Sequence, residues 1–351
     1  MRFRTGIAPG TLPELRALFL EPETPVASEL LRTGRRFLHL WEPGRGSEGD
    51  SGITPDSTLV VVGAGTRRDA LDALSPARMG LILAEPGVTG LPETSGLSLI
   101  LRIRDARAAL AAILKTCADD ILRPVPFRAG DNNHVHPTAV VEGVLEGEVT
   151  VEAGAMVAAG AFIGRGARIE ANAVIKPHVV IGAHTVVQPG VVIGVDGFGF
   201  YETGTGLAPM PHLAGVVIGA DCFIGANTVI AAGVLHPTTL GRGCKLDSHV
   251  QIAHNVVVGE SALMASQSGI AGSTTVGKNF RMGGAASVAG HLRLGNGVSV
   301  AAKAGVTKDV PDGMTVAGFP ARPIAQWRRD VANQRKSEIK NQKSETQGAQ
   351  A

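Results

Sequence analysis

The chain has 351 residues, enough for two domains that each bury a core. Apolar residues make up 44% and aromatics only 4%, with 46 glycines, so the interior is aliphatic and narrow and the turns are many. A formal net charge of +2 argues against nucleic acid as the main partner. Three widely spaced cysteines (Cys117, Cys222, Cys244) argue against a disulfide framework and for a reducing compartment. No stretch approaches the ~18 apolar residues of a membrane span. The first residues lack the apolar run of a signal peptide, so a cytoplasmic location is expected.

Residues 1–130 read as a small α/β domain. Residues 57–62, 81–84 and 97–103 have strand character, and 67–77 and 105–117 have helix character, with Asp105 placed as an N-cap. The glycines at 63 and 65 resemble a phosphate loop only weakly, because the rest of a dinucleotide fingerprint is missing. His134 and His136 mark the start of a different region, assigned to residues 131–317.

That region repeats every six residues. From Leu145 each sixth residue through Ile193 is aliphatic; Ile218, Ile224 and Ile230 continue, and a third run goes from Leu240 to Val306. All twelve positions of the third run are apolar, which at 44% apolar content happens by chance about once in 20,000 trials. Two residues before each aliphatic stands a small or β-branched residue, as at Ala155, Ala161 and Thr185, and glycine often follows, as at Gly164 and Gly182. A period of six fits neither a helix nor simple alternation. It fits a solenoid of short flat strands with a corner at each sixth residue, and the 24 in-phase residues imply about eight coils.

Two features break the phase. Residues 195–215 cannot continue the hexads and read as a protruding loop, and a four-residue slip lies between Ile230 and Leu240. Insertions in a rigid solenoid collect on one face and often serve binding. Residues 318–351 change character again: a turn at 318–323, then a basic helix to about Lys340 and a polar tail. Its arginines and lysines read as a solvated face or as a docking surface for an acidic carrier.

If three hexads make one coil, residues 18 apart stack at the sheet spacing of about 4.8 Å. Gly272 then lies one coil above His254, Gly290 two above, and His236 one below. A base beside a bare peptide N–H is the minimum kit for acyl transfer. His254 would take the proton and the Gly272 N–H would hold the oxyanion. Asp247, seven residues earlier, could orient the imidazole, and His291, two coils and one residue later, would line the same cleft. The other histidines, His178 and His212 among them, read as surface residues.

At these residues the chain resembles one family. VDGFGF (195–200), IGANT (224–228), QIAHN (251–255), GIAGS (269–273) and GGAASVAGH (283–291) look like the UDP-3-O-acylglucosamine N-acyltransferases of lipid A biosynthesis. The resemblance implies a left-handed β-helix, a homotrimer, an N-terminal uridine-binding domain and an acyl carrier protein thioester as donor, with no cofactor and no metal. It implies His254 as base, Gly272 as oxyanion donor and Asp247 as orienting carboxylate. It also implies substrate contacts from His291, Asn255, Ser248, Phe198, Phe200 and Gly290. Two departures stand out. Ala231 and Ala232 replace an Asp-Arg pair, and the N-terminal domain has no Tyr to stack uracil, leaving Phe37 or Trp41. A CoA-dependent transferase on another nucleotide sugar and an inactive scaffold remain as other readings. So does a zinc carbonic anhydrase of the γ type, with His249, His254 and either His212 or His236 as ligands.

Overall fold

The computed structural model describes residues 129–318 without a break, residues 99–121, and shorter pieces at 5–6, 36–37, 39–41, 58–62, 81–86, 88–89, 91, 329–330 and 332–333. The fold is mainly β. From residue 134 onward the chain winds through three parallel sheets of ten, nine and eight short strands, a parallel β-helix of about ten turns. The ten-strand face runs from His134–Val135 to Thr315–Val316, the nine-strand face from Val140–Val141 to Gly305–Val306, and the eight-strand face from Val144–Leu145 to Arg293–Leu294. All 24 in-phase aliphatics point inward and are at most 7% exposed. The small residues two places before them (Ala155, Ala161, Ala167, Ala173, Thr185) are buried too, because there the backbone turns the corner against the coil above. Each buried aliphatic contributes roughly 1.5–3 kcal/mol, so the repeat is the main source of stability.

The coil count exceeds the eight expected. Val135 and Val141 already occupy inward strand positions, but a shortened corner at Glu142 and Gly143 brings Leu145 only four residues after Val141 and hides them from the period. Another shortened corner takes Val306 to the buried Val310, which bridges to Leu294. The longer step from Ile230 to Leu240 also has a structural consequence. Ile252 pairs with Ile230, 22 residues earlier, while Val258 pairs with Leu240, 18 residues earlier, so the four extra residues are taken up at the corner between these strands, below His254.

Corners are made by left-handed residues. Among the described residues sixteen non-glycine residues have positive φ, and from His249 to His291 they recur every sixth residue: His249, Asn255, Ser261, Gln267, Ser273, Asn279, Ala285 and His291. Left-handed backbone costs a residue with a Cβ about 1–2 kcal/mol, which glycine avoids at an entropic cost of about 0.5–1. Lys303, exposed with φ 60°, is such a corner, and its N–H still reaches the Gly284 carbonyl at 2.9 Å. Lys303→Gly is expected to raise stability by about 0.5–1 kcal/mol, read as an upward shift of the urea midpoint at unchanged slope.

Of the N-terminal elements, Thr58–Val62, Leu81–Ala84 and Leu99–Arg102 are strands, joined by His39–Trp41 in a four-stranded parallel sheet. The helix is Ala106–Ile121, ending four residues beyond the expected position 117, and the Asp105 carboxylate accepts the N–H groups of Arg107 (2.8 Å) and Ala108 (3.0 Å) as its cap. The expected helix at 67–77 and most of the basic helix at 324–340 lie outside the described residues.

Residues 195–215 hold an antiparallel hairpin, Phe200–Thr203 with Gly206–Pro209. Its base is anchored rather than free. Tyr201, Met210 and Leu213 are buried with Ala111 and Leu114 of the helix and with Leu235 of the slip segment. Lys115 Nζ stands 5.7 Å from the centre of the Tyr201 ring. The two breaks in the hexad pattern are thus packed together, and they meet beside His254.

Candidate active site

His254 sits on the edge between the nine-strand and eight-strand faces, in the turn after Gln251–Ile252. Asn255 follows in left-handed conformation and is 3% exposed. Its amide is oriented by the backbone on both sides. Nδ2 donates to the His236 carbonyl at 3.1 Å, and Oδ1 accepts the Val234 N–H at 3.2 Å. The same Oδ1 lies 3.1 Å from His254 Nδ1. An amide oxygen only accepts, so Nδ1 carries the proton of the neutral imidazole and Nε2 is left as the base.

Gly272 stacks above this Nε2. A Cβ built on Gly272 would lie 2.6 Å from Nε2 and 2.7 Å from Cε1 of His254. The coils are tied by Ser273 N–H to the His254 carbonyl (2.9 Å) and by His291 N–H to the Gly272 carbonyl (3.0 Å). Among the described residues the Gly272 N–H donates to no acceptor. Gly290 stacks on Gly272, and the exposed His291 on Ser273. The structure therefore gathers His254, Asn255, Gly272, Gly290 and His291 along one edge.

Gly197 closes the opposite side. A Cβ there would meet His254 Cβ at 2.6 Å and Cδ2 at 2.7 Å, so only glycine lets the loop lie against the imidazole. Phe198 and Phe200 follow at once. They are 90% and 41% exposed, with ring centres 5.4 Å apart and nearly perpendicular. A largely exposed aromatic pair beside a base is available to a ligand.

Asp247 and Ser248 are not brought to His254. They occupy the edge between the ten-strand and nine-strand faces, one corner earlier in the coil. The Asp247 carboxylate accepts the N–H groups of Ser248 (2.7 Å) and Ser266 (3.2 Å), and the Ser248 carbonyl accepts Ser266 Oγ (2.8 Å). Seven residues are one hexad plus one, so the spacing carries a side chain to a neighbouring corner. Within this chain the orienting group is Asn255. Asn255→Ala is expected to lower kcat about 10–100-fold, as loss of an outer-shell partner of a histidine does, and Asp247→Asn by less than about tenfold. Steady-state rates of the two variants check this.

His249 shares Asp247's edge, so the two histidines five residues apart do not converge on one metal position within the chain. His212, read from sequence as a surface residue, is 6% exposed and packs on His254, with ring centres 5.2 Å apart at 68°. Its Nδ1 lies 2.8 Å from the Met210 carbonyl, which fixes the proton on Nδ1. Its Nε2 is buried and has no hydrogen-bond partner among the described residues. Burial holds His212 below the ordinary imidazole range, and His254 pushes it the same way. The Met210 carbonyl and Asp196 oppose both. The sequence signal for His212 was its place inside the segment that breaks the hexads. Ala231 and Ala232 are 4% and 2% exposed at the start of the slip segment, where the Ala232 N–H donates to the Val195 carbonyl at 2.7 Å.

The repeat agrees with what the chain resembles. Residues 160–194 match the family of bacterial transferase hexapeptide (six repeats). Over 162 residues the chain is 36% identical to the UDP-3-O-acylglucosamine N-acyltransferase of one strain of Methylorubrum extorquens, and 35% identical to the protein of that name from a second strain. Each match covers 46% of this chain and 46% of the relative, so the chain aligns with about half the length of these curated relatives. Among solved structures, UDP-N-acetylglucosamine acyltransferase from Campylobacter jejuni is 21% identical with a TM-score of 0.45, over 54% of this chain and 70% of that one. The Francisella novicida enzyme is 20% identical with a TM-score of 0.46, over 55% and 67%.

Proposed function

We propose that this chain is an N-acyltransferase of lipid A biosynthesis. It moves a (3-hydroxy)acyl chain from acyl carrier protein to the 2-amine of UDP-3-O-acylglucosamine in the cytoplasm. The observation that carries the reading is the base nitrogen His254 Nε2, fixed by Asn255 and directly faced by Gly272. The amine attacks the thioester carbon, forming the C–N bond. His254 takes the amine proton, the Gly272 N–H stabilises the oxyanion, and as the C–S bond breaks the proton passes to the departing thiolate. His291 and the Phe198–Phe200 pair contact substrate on the open side. No cofactor or metal enters this scheme.

The working form is proposed to be a homotrimer. Outward residues of the two faces that meet at the His254 edge are apolar over the first coils: Val140 and Met156 on one, Phe162 and Val180 on the other, 37–51% exposed. Neighbouring copies covering these ladders would wall the cleft at His254.

The test is mass spectrometry of products from a panel of acyl carrier protein and CoA thioesters against UDP-glucosamine acceptors. The expected product carries the new acyl group on nitrogen and forms from the carrier-protein donor. Transfer from CoA alone, or to another sugar nucleotide alone, would overturn this reading. Light scattering is expected to give three copies, and Phe162→Glu to give fewer.

A further inference from the structure

The geometry points to His212 as a positioning residue for His254: with its proton fixed on Nδ1, it turns the lone pair of Nε2 toward His254 and stabilises the imidazolium formed when that base takes its proton. The inference rests on the proposal that His254 is the base.

Four observations carry it. The Met210 carbonyl at 2.8 Å accepts only, so Nδ1 of His212 must donate. The far end of the ring, Nε2, then carries the lone pair, and no donor among the described residues engages it. That nitrogen lies beside His254: one point, the Cβ position of Gly197, is 2.7 Å from His212 Nε2 and 2.7 Å from His254 Cδ2. The rings meet at 68° with centres 5.2 Å apart, an edge contact rather than a stack. The Cδ2–H edge of an imidazolium is positive, so an adjacent lone pair favours the charged form of His254 over the neutral one. His212 Nε2 is itself buried, so that preference is less screened than it would be at the surface.

The arrangement works only while His212 is neutral. Protonating its Nε2 would put two positive rings in contact and add a donor with nothing to receive it. Burial disfavours this first, and His254 second. Asp196, at the start of the same loop, is the acidic group acting the other way. The close-packed Gly197, the carbonyl of residue 210 and the packed hairpin base thus serve one end, which is to keep an uncharged acceptor against the base.

The tests are kinetic and spectroscopic. His212→Phe keeps a ring of similar size and removes the lone pair. The kcat–pH profile is expected to shift its acid inflection downward by about 0.5–1 pH unit and its plateau to fall about 3–10-fold, with KM within about twofold. His212→Gln supplies a donor for Met210 and an acceptor toward Gly197, and should restore the inflection. Gly197→Ala drives a Cβ between the rings and should shift the inflection as Phe does. Histidine-selective 15N NMR of the unmutated protein, which needs no variant to fold, should show His212 neutral and protonated on Nδ1 at pH 6.5.

An unshifted inflection in both His212→Phe and Gly197→Ala, or an Nε2–H or doubly protonated His212, would overturn the inference. If His254→Ala retained full activity, the base assignment would fail instead, and the two failures are thereby told apart.

Discussion

His254→Ala is expected to lower kcat by about 10³-fold while leaving KM and the thermal midpoint nearly unchanged. A positioned general base contributes about 10²–10⁴ in rate, and here its nitrogen is set by two contacts that act only on chemistry. Asn255 keeps its bonds to His236 and Val234 without the imidazole, so the corner does not collapse. The His254 side chain is half-buried and fills none of the inward hexad positions, so its truncation opens no core cavity. The measurement is kcat and KM from initial rates at several pH values, beside a melting curve. A variant within tenfold of the parent in kcat would remove His254 from the mechanism.

How much of this could be read before any coordinates depended on the period. The hexad assigned the 24 in-phase inward residues from Leu145 to Val306 and the stacking of Gly272 and Gly290 above His254, because in-register parallel strands convert a multiple of 18 into a column. The same arithmetic failed where the winding is not 18. Across the slip the nine-strand face steps back 22 residues and the eight-strand face 18, so at the corner between them, where His254 sits, spacing alone names no single residue beneath it. It failed for Asp247 for a different reason: a separation of seven crosses one corner, and closeness in sequence is not closeness on an edge. Asn255 was named as a substrate contact, yet its role follows only from which backbone groups fix its amide, and no spacing encodes that. His212 was hidden because the segment 195–215 has no period, and a histidine there looks like loop decoration. Its burial arises from the hairpin base packing on Ala111 and Leu114, a contact between parts of the chain almost 90 residues apart. In a repeat protein the legible part is the lattice, and the part that must be seen is where an irregular segment is laid against it.

Gly272→Ala is expected to separate catalysis from stability. A methyl group there would stand 2.6 Å from His254 Nε2 and 2.7 Å from Cε1, well inside contact distance, so either the ring turns off Asn255 or the methyl fills the space in front of the base. Both outcomes remove the approach an attacking amine needs, and displacing a reacting pair by 1 Å can cost about 10²-fold. The neighbouring N–H, meant for the oxyanion, is crowded by the same group; loss of one such donor costs about 10²–10³ in kcat. We therefore expect kcat to fall at least about 10²-fold. Stability should hold or rise by about 0.5 kcal/mol, since Gly272 does not have positive φ and alanine restricts the unfolded chain more than glycine does. Gly269→Ala is the control. It lies in the preceding strand of the same coil, where the nearest atoms to a new Cβ belong to Gln251 at an ordinary 3.7 Å, so kcat should not move. Equal activities of the two variants would mean that the space above His254 Nε2 is not where the acyl group changes hands.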